Sequence, residues 1–498
     1  MNNQKLIYPS VNLFLYDLRD SLGQDLEIKR NRVKFWRKID LELDKQIKEL
    51  VTVNQLEGEK EAKLAVIDSP LEKKLKELET KENPEADYVI LDQKLFKDWV
   101  PASNFDGFCL AAELGDTYSL IVNCSGSYLE AETKKPNNNS QSIEAVAANK
   151  QTIVANINHR PHLENLETEK QGSIGQSWFV WGQLSDSNSN PREVAEECYQ
   201  QLNLNASKKP KFKELGEFNG SIVFEYWQNT TNWGQKWDEF VRNSNHAIIC
   251  LFPPGLNPET IDINRQKMQN IYFDLARLFC YRHKAIWAYW QSRKLKEELK
   301  RESREIKNLV DKVKAIAQQI QEKKPLKLAE LQLILTQVLP LVSSYADRLF
   351  LLENQGKTIA VNLESYGRRL AAMEQKTNSN LEEWKEFKNF AKEKYQQQIE
   401  SDSLNLSPEL KVLENLVSTV RGIIDIEQAK GDRDLSETVA VVGTALTVSA
   451  VIATVAVGGD SPPQSYLDLS FMKSPAFVLS LLPVAIALLI LLWRRWRS

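Results

Sequence analysis

The clearest patterning lies in the last sixty residues, where two apolar runs, Thr438 to Val457 and Ala476 to Trp493, carry no charged side chain. At a rise of about 1.5 Å per residue each would be roughly 27–30 Å long as a helix, enough to cross the hydrocarbon core of a bilayer. Each run therefore reads as a spanning helix. Lys430 and Arg433 precede the first run and Arg494, Arg495 and Arg497 follow the second, whereas the 458–475 connection sets Lys473 against Asp460 and Asp468. The positive-inside bias then places both termini in the cytoplasm of a multi-pass plasma-membrane protein, with Trp493 and Trp496 at the interface. The N-terminus, Met1-Asn2-Asn3-Gln4-Lys5, is polar and does not read as a signal peptide.

Upstream of the spans the apolar positions follow a helical period. Leu299, Ile306, Leu309, Val313, Ile316 and Ile320 fit steps of three and four, interrupted at Glu302, and come after an aromatic-rich segment from a helix start near Asn264. A second seam, Leu328, Leu331, Leu335, Val338, Val342, Tyr345, Leu349 and Leu352, follows Lys323-Lys324-Pro325, which predicts an antiparallel helical hairpin. A charged helix is expected around Leu381 to Tyr395. Ser407 then reads as an N-cap with Pro408 at the first helical position, starting a stalk helix whose packing face is Leu410, Leu413, Val417, Val420 and Ile424. Unbroken at Gly431, that stalk would join the first span in one rod from Pro408 to Val457, about 75 Å long.

Before Pro253-Pro254-Gly255 the pattern is mixed. Strands are predicted at Asn12 to Leu18, Phe108 to Glu113, Tyr118 to Asn123, Ser177 to Trp181, Ser221 to Trp227 and Ala247 to Phe252. Helices are expected at about 36–63, 71–81, 191–203 and 235–242, and exposed loops at Pro136 to Ser140 and Ser185 to Pro191. The chain thus reads as α+β in three parts: a cytosolic α/β domain at 1–254, a long antiparallel coiled-coil-like region with the stalk at 255–436, and a two-helix transmembrane domain at 437–498.

Charge adds an exclusion. The formal net charge is −3, which argues against general nucleic-acid binding. Cys109, Cys124, Cys198, Cys250 and Cys280 show no C-x-x-C spacing and read as reduced, mostly buried thiols.

Candidate chemistry concentrates near the membrane. Gly443, Thr447, Ala450 and Thr454 share one face of the first span, where small and hydroxyl residues suit either close helix packing or the wall of a pore. Asp460 and Asp468 lie in the outer loop, as pore-mouth carboxylates in an oligomer or as solvated loop acids. Pro483 interrupts the second span, which reads as the outer, lipid-facing helix. Asp425, Asp432 and Asp434, with Glu427 and Glu437, are oxygen ligands for Mg²⁺ or another divalent cation, or an ordinary hydrated helix face. His159 and His162 flank Pro161 and read as loop residues, and Gly172 to Ser177 lacks the Gly-Lys-Ser/Thr ending of a phosphate loop. With no Ser/His/Asp order, C-x-x-C pair or H-E-x-x-H, no catalytic residue or resident cofactor is assigned and the chain reads as a non-enzyme.

A cytosolic α/β domain, a helical hairpin, a long helix entering the first of two C-terminal spans and a short basic tail together resemble the CorA-type divalent-cation transporters. The resemblance implies five subunits about one axis, a funnel built from the long helix and a pore lined by the first span. That family's Gly-Met-Asn motif is replaced here by Ala456-Val457-Gly458-Gly459-Asp460-Ser461, so its Mg²⁺ filter does not carry over. CorA-like proteins without the motif include defence-linked membrane effectors in which a cytosolic domain senses a signal. The expectation is a homo-oligomeric cation channel or transporter gated by a cytosolic ligand or partner. The alternative is a non-conducting scaffold or sensor tethered to the bilayer.

Overall fold

The computed structural model describes residues 5–19, 89–95, 105–126, 141–142, 144–158, 172–202, 210–228, 236–321 and 328–429, with Phe35, Lys38, Leu204 and the pair 233–234. The expected helices at 36–63 and 71–81, the loop at 136–140, His159, His162 and both spans lie outside these residues. Two compact units divide the chain: Met1–Trp290 with Thr358–Tyr395, and Gln291–Lys357 with Gln396–Ser498. The chain therefore visits the first unit, leaves it along one long helix and returns along another.

The first unit is built on a mixed sheet. Its strands are β1 (Lys5–Leu18), β2 (Val89–Leu95), β3 (Phe105–Leu114), β4 (Thr117–Gly126), β5 (Gln141–Ser142), β6 (Gly175–Leu184), β7 (Lys211–Phe218), β8 (Ser221–Trp227) and β9 (His246–Phe252). They run in the order β2-β3-β4-β1-β6-β9-β8-β7, with β5 on the start of β1. β6 and β9 pair in parallel and the other neighbours pair antiparallel. Pro9 cannot donate to a ladder, and it falls where the β1–β6 register shifts between Ile7 and Ser10.

Strand alternation makes two cores. Val11, Leu13 and Leu15 of β1 face one side, where they meet Val146, Ile153 and Ile157 of α1 (Glu144–Asn158) and Val194 and Cys198 of α2 (Pro191–Gln201). Phe14, Tyr16 and Leu18 face the other, against Leu275 and Phe279 of α5 (Tyr272–Gln321) and Leu370 and Met373 of α6 (Leu328–Thr377). The sheet is covered on both faces, which is why all seven residues of β9 are buried. Two further helices, α3 (Trp237–Asn243) and α4 (Pro258–Asn270), flank β9 in sequence. Asn257 caps α4 by accepting the Thr260 N–H at 2.8 Å, so the helix starts at Pro258 and not near Asn264. Asp274 holds α5 to α6: its buried carboxylate takes Arg277 at 3.3 Å, Arg369 at 2.9 Å and Lys376 at 2.7 Å. All five cysteines are free and buried, and burial pushes the Cys250 and Cys280 thiols up to about 12.

Among the described residues, the second unit is a bundle of three helical segments: the later part of α5, the first part of α6, and α8 (Gln397–Ala429). Arg348 meets Glu298 at 2.9 Å and Glu302 at 2.7 Å, while Tyr345 donates to the Leu406 carbonyl at 2.7 Å and Ser403 meets Glu353 at 3.1 Å. These pairs make α6 antiparallel to both α5 and α8. Leu299, Ile306, Leu309, Val313 and Ile316 of α5 and Leu331, Ile334, Val338, Tyr345, Leu349 and Leu352 of α6 are its buried seams, so Ile334 replaces the expected Leu335. Glu302 occupies a seam position and is buried, matched there by Arg348.

The stalk begins earlier than the Ser407-Pro408 pattern suggests. A 3₁₀ turn (Glu382–Lys385), α7 (Glu386–Ala391) and a π turn (Lys392–Gln396) lead into α8, and Pro408 lies inside that helix. Proline has no N–H for the Leu404 carbonyl four residues back. The Ser407 hydroxyl donates to that carbonyl at 3.2 Å, so the residue expected to cap a helix instead repairs one. Among the described residues one helix, Leu328–Thr377, is long and apolar enough to cross a membrane by composition, with 22% of its most apolar stretch buried.

Candidate functional site

A polar cluster sits in the first unit on the α5 side of the sheet. Ser177 of β6, His246 of β9 and Glu225 of β8 all project to that face: Trp178 pairs with Ala247 in the parallel ladder, and Trp227 pairs with His246 in the antiparallel one. His246 Nε2 lies 3.1 Å from Glu225 Oε1, and its Nδ1 lies 2.6 Å from Ser177 Oγ. From α5, His283 brings Nε2 to 2.8 Å from the same hydroxyl, and the Arg282 guanidinium stands 3.7 Å from Glu225.

The proton order follows from the donors available. An ionised Glu225 only accepts, so the His246 proton belongs on Nε2 and its Nδ1 accepts the Ser177 O–H; His283 Nε2 meets the same hydroxyl, and the His283 ring also bonds to the Gln176 backbone. Burial, then the Arg282 charge, lowers His246 to about 4, its bond to Glu225 pulling the other way. His283 is held well below the usual histidine range by burial, Arg282 and His246. Burial alone would raise Glu225; the His246 hydrogen bond, then Arg282, override it and bring the carboxyl below its ordinary value. Both imidazoles are thus neutral at pH 7.

Two glycines make the cluster possible. A Cβ on Gly175 would stand 2.5 Å from His283 Nδ1, and one on Gly172 would stand 2.3 Å from the Tyr16 carbonyl. The glycine-rich segment serves close packing, consistent with its lack of a phosphate-loop ending.

Beside the cluster lies a concavity walled by aromatic side chains. Trp237 stacks on Phe240 at 5.2 Å, Trp233 meets Phe240 at 5.0 Å, and Tyr395 stacks on Tyr289 at 4.2 Å. Tyr395 reaches this wall from the π turn, a local widening often found at functional positions. Arg282, His283 and Ser244 also line the space. Ser177 does not line it and is fully buried, so the Ser177–His246–Glu225 relay presents no nucleophile to the concavity. It acts as a buried hydrogen-bonded strut holding His283 and, through Glu225, Arg282.

The membrane-proximal candidates meet the structure only in part. Gly443, Thr447, Ala450, Thr454, Asp460, Asp468, Asp432 and Asp434 lie outside the described residues. Asp425 is exposed near the end of α8, and no group of three metal-ligating side chains occurs among the described residues. On the stalk Leu413, Val420 and Ile424 are buried, Leu410 and Val417 half-buried, and Leu406, Leu416 and Ile423 complete the buried stripe.

Sequence reasoning missed the cluster altogether. The chain has four histidines; the two considered are those in Asn158-His159-Arg160-Pro161-His162, while His246 only opens the apolar run that ends at Phe252 and His283 lies between Arg282 and Lys284, neither beside a motif partner in sequence. Comparison with family models, curated proteins and solved structures finds no match for this chain.

Proposed function

We propose that this chain is an oligomeric, two-span membrane protein of CorA-like kind, in which the cytosolic sheet unit senses a ligand and a helical bundle carries the response to a cation pore. The observation that carries the reading is the end of α8. The helix is continuous from Gln397 to Ala429, and only 430–437 separate it from the charge-free run that begins at Thr438. A packed bundle helix leading to such a run is suited to transmit a shift of packing into a span.

Assembly draws support from α6, where Leu333 is 58% and Phe350 59% exposed although the neighbouring apolar positions are buried. Large exposed apolar side chains on one rigid helix suit a contact with a second copy. The departure from the Gly-Met-Asn motif at 456–461 favours a second reading, a non-conducting sensor anchored by the same two spans.

Alkaline carbonate extraction tests the anchor. The full chain is expected to stay with the membrane and to run as an oligomer in mild detergent, while a chain ending at Ser436 is released. Release of the full chain, or a monomeric mass for it, would overturn the proposal. A change to Leu333→Asp is expected to weaken assembly under either reading, whereas Thr447→Leu alters flux only if the first span lines a pore.

A further inference from the structure

We propose that the polar concavity between the β7–β8 turn and the end of α6 is a binding site for a small uncharged polyol, a sugar or sugar alcohol. The inference stands apart from the membrane reading, because it concerns the sheet unit alone. The space measures about 530 Å³, within the roughly 300–1,000 Å³ usual for small-molecule sites. Its walls are tight turns. Asn219 (φ 53°) and Gly220 (φ 79°) close the β7–β8 hairpin, Gly216 (φ 80°) sits at the register shift of β7, and Asn378 (φ 50°) follows the last residue of α6. Among the described residues Asn219 and Asn378 are the two non-glycine residues with left-handed backbone, and both line this one space. The Asn219 N–H donates to Ser379 Oγ at 3.3 Å, which ties the two turns together, and a Cβ on Gly216 or Gly220 would meet nothing within 4 Å. Fixed turns with open backbone between them form a surface organised before a ligand arrives.

The lining selects the chemistry. Leu215 is its one apolar side chain, so an apolar ligand would gain little there. Lys385 holds Glu382 at 2.8 Å and Lys213 holds Glu383 at 2.6 Å. The lining charges left without an ion pair among the described residues, Glu217 and Lys267, are opposite in sign, so neither an anion nor a cation is singled out. What the space offers throughout is carboxylate and amide acceptors mixed with amide and ammonium donors. A hydroxyl donates and accepts at once, so a molecule carrying several of them matches such a lining whichever group each one meets. Asn219 adds a specific demand. Its side chain is 7% exposed and its amide nitrogen has no hydrogen-bond partner, a buried donor that is costly to leave unmet and that a ligand hydroxyl oxygen satisfies.

Saturation-transfer NMR on the full-length protein in nanodiscs, against empty nanodiscs, tests the proposal with glucose, sucrose and sorbitol, and with proline and spermidine as a zwitterion and a cation. At least one of the three polyols is expected to receive saturation from the protein, and proline and spermidine are expected to receive none. Asn219→Gly keeps the left-handed turn while removing the amide, and is expected to weaken polyol binding roughly threefold to tenfold, the scale of one hydrogen bond. Glu217→Trp places a large side chain at an exposed strand position lining the space and is expected to abolish the signal. If Glu217→Trp fails to fold by circular dichroism, Asn219→Gly and Lys267→Trp, at an exposed position of α4, decide the matter. No transfer to any of the three polyols at tens of millimolar, stronger transfer to proline or spermidine, or polyol signals unchanged by the folded variants would overturn the proposal.

Discussion

At the residue scale, the first unit gathers buried polar groups behind the α5 side of its sheet. The Ser177–His246–Glu225 strut is satisfied internally, and its histidines stay neutral because burial and Arg282 oppose their charging. With a folded value of about 4 for His246 against an ordinary 6.5, the unfolded chain binds the extra proton as pH drops. The contribution is therefore whole above pH 6.5 and is lost as pH falls from 6.5 to about 4, roughly 3 kcal/mol in all, with His283 adding in the same direction. Urea midpoints between pH 7.5 and 5 are expected to fall for the wild type and to fall less for His246→Gln; parallel falls would contradict the assignment. Gly175→Ala is expected to destabilise by about 1–3 kcal/mol, since its methyl meets the His283 ring. An unchanged melting midpoint would show that the ring yields without cost. None of this was legible beforehand. Ser177, Glu225, His246 and His283 come from four elements, and only the adjacency of β6 to β9 brings the first and third together.

At the element scale, periodicity predicted what periodicity controls. The strands at 12–18, 177–181, 221–227 and 247–252 all lie within observed ones because their apolar residues alternate or run unbroken. β7 escaped notice because Lys211, Lys213, Glu214 and Glu217 give it the charged pattern of an edge strand, which is its place in the sheet. α1 escaped because Ala and Asn dilute its apolar face. The hairpin seams were readable, but the role of Glu302 was not, since its partner Arg348 lies on another helix. Arg348→Leu leaves the buried Glu302 carboxylate with the Ser344 hydroxyl but no cation and is expected to cost about 3 kcal/mol or more, whereas Glu302→Leu leaves Arg348 paired with Glu298 and costs less. The double variant is expected to recover most of the loss. Additive single costs in a denaturation cycle would mean that the two side chains do not act as a pair.

At the scale of the whole molecule, the α+β character was legible and the division into units was not. The composition change at Pro253–Gly255 follows the chain, but α5 and α6 each run through both units, so compactness cuts across the long helices. Helical period marks which residues are inward and carries no information about which neighbour they meet, so the Pro408 break was predicted where α8 in fact continues. The apolar runs at 438–457 and 476–493 and the approach of α8 to them carry the functional proposal, with cation conduction as its central claim. Its most direct test is cation flux into liposomes holding the full chain, a Thr447→Leu variant, or a chain ending at Ser436. The account predicts flux for the full chain, its loss or sharp reduction in Thr447→Leu, and none for the shortened chain. Equal flux with Thr447→Leu, or no flux from an inserted oligomer across divalent, monovalent and ligand conditions, would contradict conduction along the first span and leave the tethered sensor as the function.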